Sequence, residues 1–580
     1  MDWGLQSELR ERLGKERGYY CYPAGGRQRF ALVYPNSYHV GMSNLGIHII
    51  YELLNQRKDT ACERVFLPDG NRLETYRRTR TPILSMETQT PLYQFDIIGF
   101  AASFEMDYFH ILDILELGKV RLRAAERGER DPLVIIGGPC ATFNPEPLSL
   151  FADAFVIGEG EAILPRFMET CRAAHFEGVS RIDLLRRLSG LPGIYVPSLY
   201  EHHYAPDGRL CGISVSEGAP SHVVRQWVRD LDAYPAHTVV VTEDTEFNLY
   251  LVETARGCGR HCRFCMAGYC FRRPRNRSLG VLLDEIREAV PYGKRIGLMG
   301  AAISDYPEID ALCRDIQKEG LAMSVASFRA DSVTKELVDA LAQSGLKTLT
   351  MAPEAGSARM RAVINKGIEE EHLFTAMELG LVAGIQNFRL YLMIGLPFEE
   401  EEDILAIVDL ANRLKDYMEG KGCKGTLTLS INPFVPKPFT PFQWVPMASR
   451  QQVEDRLKLI RSGLKKRKHI HIISESTREA YIQGVLARGD RRISEVLAAA
   501  HEAGGSKAFR RAMKEAGCLP EFYLYRERKE DEVFPWDSLD MGFRREYIYK
   551  ELEKAGRLQS TPQCFEGCCR CGVCSIQVDG

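Results

Sequence analysis

Short continuous apolar runs alternate with helical stretches through the first third of the chain. Phe30-Ala31-Leu32-Val33-Tyr34 leads through a polar turn at Pro35-Asn36-Ser37 to apolar residues at Leu45, Ile49, Ile50, Leu53 and Leu54, one face of a helix. Similar runs recur at 95–100, 133–138 and 154–158, and helical patterns follow at 108–117 and 161–170. Apolar strands alternating with amphipathic helices predict an α/β fold, with a doubly wound parallel, Rossmann-like sheet over 1–175. Residues 176–247, punctuated by Pro192, Pro197, Pro206, Pro220 and Pro235, predict an irregular connector. A second series starts at 248, with strand patterns at 250–253, 295–299, 323–328, 348–351, 388–394 and 426–430 and helical patterns between them. Six βα units over 248–474 predict a partial (β/α)6 TIM barrel with its site at the carboxyl ends of the strands. Helical patterns fill 475–560, and 561–580 is a Cys-rich tail.

Composition narrows the class. A chain of 580 residues with 45% hydrophobic and 26% charged positions excludes disordered, collagen-like and coiled-coil readings and predicts several domains. Lys+Arg 75 against Asp+Glu 78 argues against a whole-molecule polyanion binder while leaving local basic patches. The charged start and the lack of any stretch near the roughly 20 apolar residues of a span predict a cytoplasmic chain with no membrane span. Seventeen cysteines in such a chain predict metal ligands plus scattered core thiols rather than a disulfide framework.

The chemistry concentrates in Cys258-Gly259-Arg260-His261-Cys262-Arg263-Phe264-Cys265. Three thiolates in eight residues can hold three corners of a [4Fe-4S] cube, which normally takes four cysteines, and so leave one iron open to a ligand. A zinc site of the three thiolates plus His261 is the alternative. The motif, with its aromatic Phe264, resembles that of the radical S-adenosylmethionine (SAM) superfamily. That resemblance implies SAM chelated by the open iron and cleaved to a 5′-deoxyadenosyl radical by one electron from an external reductant of flavodoxin or ferredoxin type. It also implies SAM contacts at Ser327, Arg329 and Glu354, and a backbone turn for adenine at Gly395-Leu396-Pro397. The usual Gly-Gly-Glu is replaced by Gly300-Ala301-Ala302, with Ser304 or Asp305 as substitutes. The Pro-rich run 432–442 predicts an extended loop whose aromatic residues line a cavity.

The N-terminal layout resembles the cobalamin-binding domain of cobalamin-dependent radical SAM enzymes, which implies a corrin at strand ends bearing Asn36, Ser103, Gly137, Gly138 and Gly158. The Asp-x-His-x-x-Gly motif for cobalt is absent, since Ser37 and Met42 flank His39. In the tail, Cys564, Cys568, Cys569, Cys571 and Cys574 predict an auxiliary iron-sulfur cluster, with a zinc knot or a thiol relay as alternatives. The arginines from Arg256 to Arg277 could guide RNA phosphates or an anionic substrate, or shift the cluster potential. The combination resembles an uncharacterised branch of radical SAM proteins related to cobalamin-dependent methylases and methylthiotransferases. It implies methyl transfer to an unactivated carbon. The alternatives are sulfur insertion or RNA modification using the tail cluster, and a non-enzymatic iron-sulfur redox protein.

Overall fold

The computed structural model describes residues 2–23 and 25–575. They form two compact units, one of residues 1–249, 485–523 and 531–542, the other of 250–484, 524–530 and 543–580. The stretch 475–560, a single helical region by its sequence pattern, is thus shared between the two units.

The first unit is built on a six-stranded sheet in the order Thr60–Phe66, Gln28–Tyr34, Ile97–Ala101, Leu133–Gly137, Ala154–Val156, Ile194–Tyr195. The first five run parallel and the sixth antiparallel. Its strands are apolar on both faces because both are covered. Phe30, Leu32 and Ile135 pack with Ile47, Tyr51 and Leu54 of the helix Leu45–Asn55 and with Phe167 and Met168 of the helix Gly160–Glu177. The alternate residues Ala31, Val33, Ile98, Val134 and Ile136 are buried as well. The helix Tyr108–Leu117 meets the helical segment 485–523 through Phe109 and Phe509, whose rings pack edge to face at 5.6 Å.

In the second unit, Leu249–Glu253, Arg295–Met299 and Met323–Val325 form one sheet. Thr348–Glu354, Asn387–Ile394, Leu427–Pro433 and Ile470–Ser474 form a second, fully parallel one. A parallel bridge joins Phe328 to Met351. Along Thr348–Glu354, Asn387–Ile394 and Leu427–Pro433, buried and half-buried residues alternate strictly, so one face packs on helices and the other faces a less crowded interior. The strand Ile470–Ser474 is a seventh that the hydrophobic pattern did not predict. It carries no fully buried residue and follows the basic run 465–468, so its apolar signal is weak. Among the described residues no helix is long and apolar enough to cross a membrane.

Candidate functional site

The cysteine loop leaves the strand Leu249–Glu253 and returns into the helix Leu279–Arg287. Gly257 lets it turn: its φ is +83°, and a Cβ there would lie 2.1 Å from the Phe271 carbonyl oxygen. Within the loop, Cys262 is buried and Cys258 and Cys265 are half-buried. The Arg260 N–H points at Cys258 Sγ at 3.4 Å, and Cys265 N–H donates to the Cys262 carbonyl at 3.1 Å. Burial pushes the Cys265 thiol up to about 12, with the neighbouring Cys262 and Cys258 adding to it, so a bound cation would be needed to draw off its proton.

His261 is not turned to that task. Its Nδ1 lies 2.8 Å from the Tyr547 hydroxyl and 3.1 Å from the Arg272 guanidinium. Burial, then Arg272, lowers its pKa to about 3 and keeps the ring neutral. A cationic guanidinium against the ring disfavours a metal ion there, which counts against the zinc alternative for this loop.

Facing the loop is a charged array. Lys366, buried, donates to Glu354 at 3.2 Å and sits 5.9 Å over the Phe264 ring. Glu354 has φ +66°; its pKa is raised by burial against the opposing pull of Lys366 and Arg329. Arg329 donates to Asp331 at 2.9 and 3.0 Å and to the Lys366 carbonyl at 2.7 Å, while its own N–H reaches Ser304 Oγ at 3.2 Å. Arg260 bridges Asp305, at 2.9 Å, and Asp331, at 3.0 Å. Of the expected SAM positions, Arg329 and Glu354 therefore meet around Lys366 beside the cysteine loop. Ser327 is half-buried just before the Phe328–Met351 bridge. Ser304 and Asp305 support Arg329 and Arg260.

Gly395 has φ +80°, and its N–H donates to Glu399 at 2.8 Å, which fixes the turn through Pro397. Glu399 also pairs with Arg456 at 2.8 Å; burial outweighs that pairing and lifts its pKa from 4.5 to about 7. Between those values the folded chain holds a proton that the unfolded chain has lost, so this group's contribution to stability falls as pH rises through the window. Glu399→Gln is expected to flatten that part of the profile, checked by melting temperatures of variant and parent at about pH 5 and about pH 7.5. Parallel profiles for the two proteins would contradict it.

One expectation needs correction. The arginines around the loop do not form a solvent-facing basic patch: Arg263, Arg272 and Arg277 are fully buried. Arg256 and Arg277 pair with Glu253, and Arg263 with Glu551. Arg256, Arg263 and Arg277 each neutralise a carboxylate of their own unit, while Arg272 bonds His261 and the Cys258 and Arg260 carbonyls, and Arg273 is exposed. Phe434, Phe439 and Phe442 of the Pro-rich run are likewise buried. Phe434 and Phe442 join Ala355, Leu396 and Phe264 in one apolar cluster that braces the cysteine loop.

In the first unit, Asn36 donates from Nδ2 to Asp107 at 3.0 Å, and the Ser103 hydroxyl bonds the Tyr34 phenol. Both sit at the carboxyl edge of the sheet, next to the exposed Phe104. Gly137 lies beside Val156, whose own Cβ would stand 3.4 Å from a Cβ added at the glycine. Gly138 and Gly158 are claimed by the protein's own backbone. A Cβ at Gly138 would meet the Ala102 carbonyl oxygen at 2.7 Å, and one at Gly158 the Gln226 carbonyl oxygen at 2.0 Å. Their glycines serve internal packing. His39 is exposed, with Nδ1 3.0 Å from Asp244.

Sequence reasoning missed Lys366, Asp331, Asn365, Tyr547 and Glu551. Lys366 and Asn365 follow a short helix in no motif, and Tyr547 and Glu551 come from the helix Arg545–Gly556, nearly 300 residues downstream. Their one signal in the sequence is the i, i+4 spacing that puts Tyr547 and Glu551 on one helical face, from which they reach His261 and Arg263 of the same loop.

Residues 46–197 match the family described as radical SAM proteins, N-terminal, and residues 252–411 the radical SAM superfamily. An uncharacterised protein of Methanocaldococcus jannaschii is 28% identical over 472 residues, 80% of this chain and 90% of its own length. An uncharacterised methyltransferase of Pyrococcus horikoshii is 25% identical over 340 residues, 56% of this chain and 66% of its own. Among solved structures, the radical SAM methyltransferase TsrM from Kitasatospora setae, with cobalamin and a [4Fe-4S] cluster bound, shares the fold. The TM-score is 0.51 and the identity 15%, over 85% of this chain and 99% of that one.

Proposed function

Because the chain belongs to the radical SAM superfamily and is an enzyme of that kind, we propose that it transfers a methyl group to an unactivated carbon, with cobalamin as its second cofactor. The observation that carries this reading is the trio Cys258, Cys262 and Cys265 set opposite the Glu354–Lys366 pair. When bound, the [4Fe-4S] cluster and SAM supply the 5′-deoxyadenosyl radical, and cobalamin supplies the methyl carrier.

The residues present fit the cluster. Three thiols of one loop stand within the field of Lys366 and Arg329, whose positive charges offset those of thiolates. The strands from Leu249–Glu253 to Ile470–Ser474 are read as an open barrel, with these residues at its carboxyl end. There Lys366 would receive the SAM carboxylate and Glu354 its amino group, displacing their mutual ion pair. Arg329 holds Lys366 in place through its carbonyl, and Ser327 lies where a ribose hydroxyl would pass. Glu399 fixes the Gly395–Pro397 turn against adenine, and the apolar cluster behind Phe264 keeps water from the loop.

At the first unit, Asn36, Ser103 and Gly137 with the exposed Phe104 are the edge a corrin would meet. His39 engages Asp244 through Nδ1 and lies outside any Asp-x-His-x-x-Gly motif, so the corrin is read as held by its periphery, without a cobalt ligand from the motif. The test is anaerobic purification with iron, sulfide and cobalt counted per chain, 5′-deoxyadenosine measured with dithionite, and the visible spectrum taken after reconstitution with hydroxocobalamin. A retained corrin spectrum after gel filtration is expected. Its loss, with 5′-deoxyadenosine formation intact, would leave a radical SAM enzyme that works without cobalamin.

A further inference from the structure

The tail thiols are the one chemical motif that this function leaves unused, and they are fastened to the cysteine loop. The Cys564 N–H donates to the Gly259 carbonyl at 2.8 Å, one residue from Cys258. Asn365 clamps the two segments together, donating from Nδ2 to the His261 carbonyl at 3.1 Å and the Thr561 carbonyl at 3.0 Å, and accepting the Thr561 N–H at 2.8 Å. Arg263, inside the loop, donates to the Gln559 carbonyl at 2.5 Å.

The tail is also shaped from within. Arg570 donates to the Pro562 and Gln563 carbonyls at 2.8 Å and reaches Cys568 Sγ at 3.2 Å. Arg544 donates from its backbone N–H to the Cys571 carbonyl at 3.0 Å and from its side chain to the Cys569 carbonyl at 3.1 Å. So many connections hold a segment with almost no regular secondary structure in one conformation, against the entropy of an irregular chain.

The sulfurs are sorted accordingly. Cys568 and Cys571 are buried and Cys564 is half-buried. Cys564 and Cys574 are each within electrostatic reach of Cys568 and Cys571. Cys569 and Cys574 are both exposed; the Cys569 Sγ faces the Gly567 carbonyl at 3.6 Å, whereas Cys574 keeps the two-residue gap from Cys571 that Cys571 keeps from Cys568. Leaving Cys569 out gives Cys564-x3-Cys568-x2-Cys571-x2-Cys574. Cys568, Cys571 and Cys574 have the two-residue gaps by which three ligands of one iron-sulfur cluster follow each other, with Cys564 available as the fourth, whereas zinc sites set pairs of ligands on either side of a longer loop. The buried Arg272, within electrostatic reach of Cys564 and Cys571, supplies positive charge to offset thiolates together with Arg544 and Arg570, which bond the tail.

We infer that Cys564, Cys568, Cys571 and Cys574 hold a second, fully ligated iron-sulfur cluster against the Cys258–Cys265 loop, where an external one-electron reductant delivers its electron. The inference rests on the reading of the central loop given above. The reductant would lose one electron to the tail cluster, which would return to its oxidised state by reducing the cluster of the Cys258–Cys265 loop across the Cys564 N–H to Gly259 carbonyl contact. No bond is made or broken and no proton moves.

The test uses the full chain purified anaerobically, as the parent, Cys258→Ala/Cys262→Ala/Cys265→Ala, Cys568→Ser/Cys571→Ser and Cys569→Ser. Iron, sulfide and zinc are counted, and electron paramagnetic resonance spectra are taken after dithionite reduction with and without SAM. About eight irons are expected in the parent and in Cys569→Ser, and about four in each multiple variant. The reduced signal of the triple variant should not respond to SAM, because its cluster has no open iron.

Zinc or no metal in the triple variant overturns the tail cluster, and iron unchanged there with four lost only in Cys568→Ser/Cys571→Ser overturns the reading of the central loop instead. Iron lost from Cys569→Ser overturns the ligand set. With a flavodoxin or ferredoxin as donor, Cys568→Ser/Cys571→Ser should form 5′-deoxyadenosine at least about tenfold more slowly, while the dithionite rate stays within about twofold of the parent. Equal rates with the protein donor overturn the electron-entry role, and so does an equal fall with both donors. Should that variant fail to fold, the triple variant decides alone, since its tail is intact.

Discussion

Cys262→Ala is expected to lower 5′-deoxyadenosine formation by at least about a thousandfold, to the uncatalysed background. Cys262 is buried in the middle of the loop, and its carbonyl accepts the Cys265 N–H. Losing its thiolate leaves two ligands where three are needed to keep a cluster with a single open iron. Cys313→Ala provides the comparison. It removes an equally buried thiol, on the helix Ile309–Lys318 and outside the loop, and should leave SAM cleavage close to the parent. The check is anaerobic turnover with dithionite, alongside iron content, for both variants. Undiminished cleavage in Cys262→Ala would refute the assignment of the cluster site, and an equal loss in Cys313→Ala would reduce it to a loss of folding.

The parts of this molecule that were legible in the sequence are those governed by local periodicity or by a compact motif. The strands Gln28–Tyr34, Ile97–Ala101 and Leu133–Gly137 stand out because they are buried on both faces and read as unbroken apolar runs. The cysteine loop stands out because three cysteines fall within eight residues.

The rest depends on long-range contacts, which periodicity does not encode. Gly138 and Gly158 look like ligand cradles in sequence, yet the atoms they make room for belong to Ala102 and Gln226. The arginines from 256 to 277 look like a phosphate-binding patch, yet their carboxylate partners Glu253, Asp305, Asp331 and Glu551 are scattered over some 300 positions. Lys366 carries no motif at all. It matters because Arg329, Glu354 and Phe264 converge on it.

The ion pair of Arg263 and Glu551 joins the cysteine loop to a helix far along the chain, and Glu551→Leu is expected to destabilise the second unit by about 3–5 kcal/mol. Both side chains are fully buried, 3.3 Å apart. Arg263 also donates to the Ala362 and Val363 carbonyls, at 3.0 and 2.8 Å, and Glu551 accepts from Thr561 at 2.7 Å and Lys554 at 2.8 Å. Removing the carboxylate strands a guanidinium in the interior, and burial already lowers the pKa of Arg263 against the pull of Glu551.

Arg263→Met/Glu551→Leu removes both charges and should recover much of the loss, because the cost lies in an unpaired charge rather than in the missing bond. A fall of roughly 6–15 °C in melting temperature is expected for the single variant. Since the chain has two units and need not unfold in one step, hydrogen exchange of peptides covering 258–265 and 559–564 is the more direct reading. Both should exchange faster in Glu551→Leu, because Arg263 and Thr561 lose the carboxylate that fixes them. Exchange confined to 559–564 would mean that the pair anchors the tail but does not hold the cysteine loop in shape.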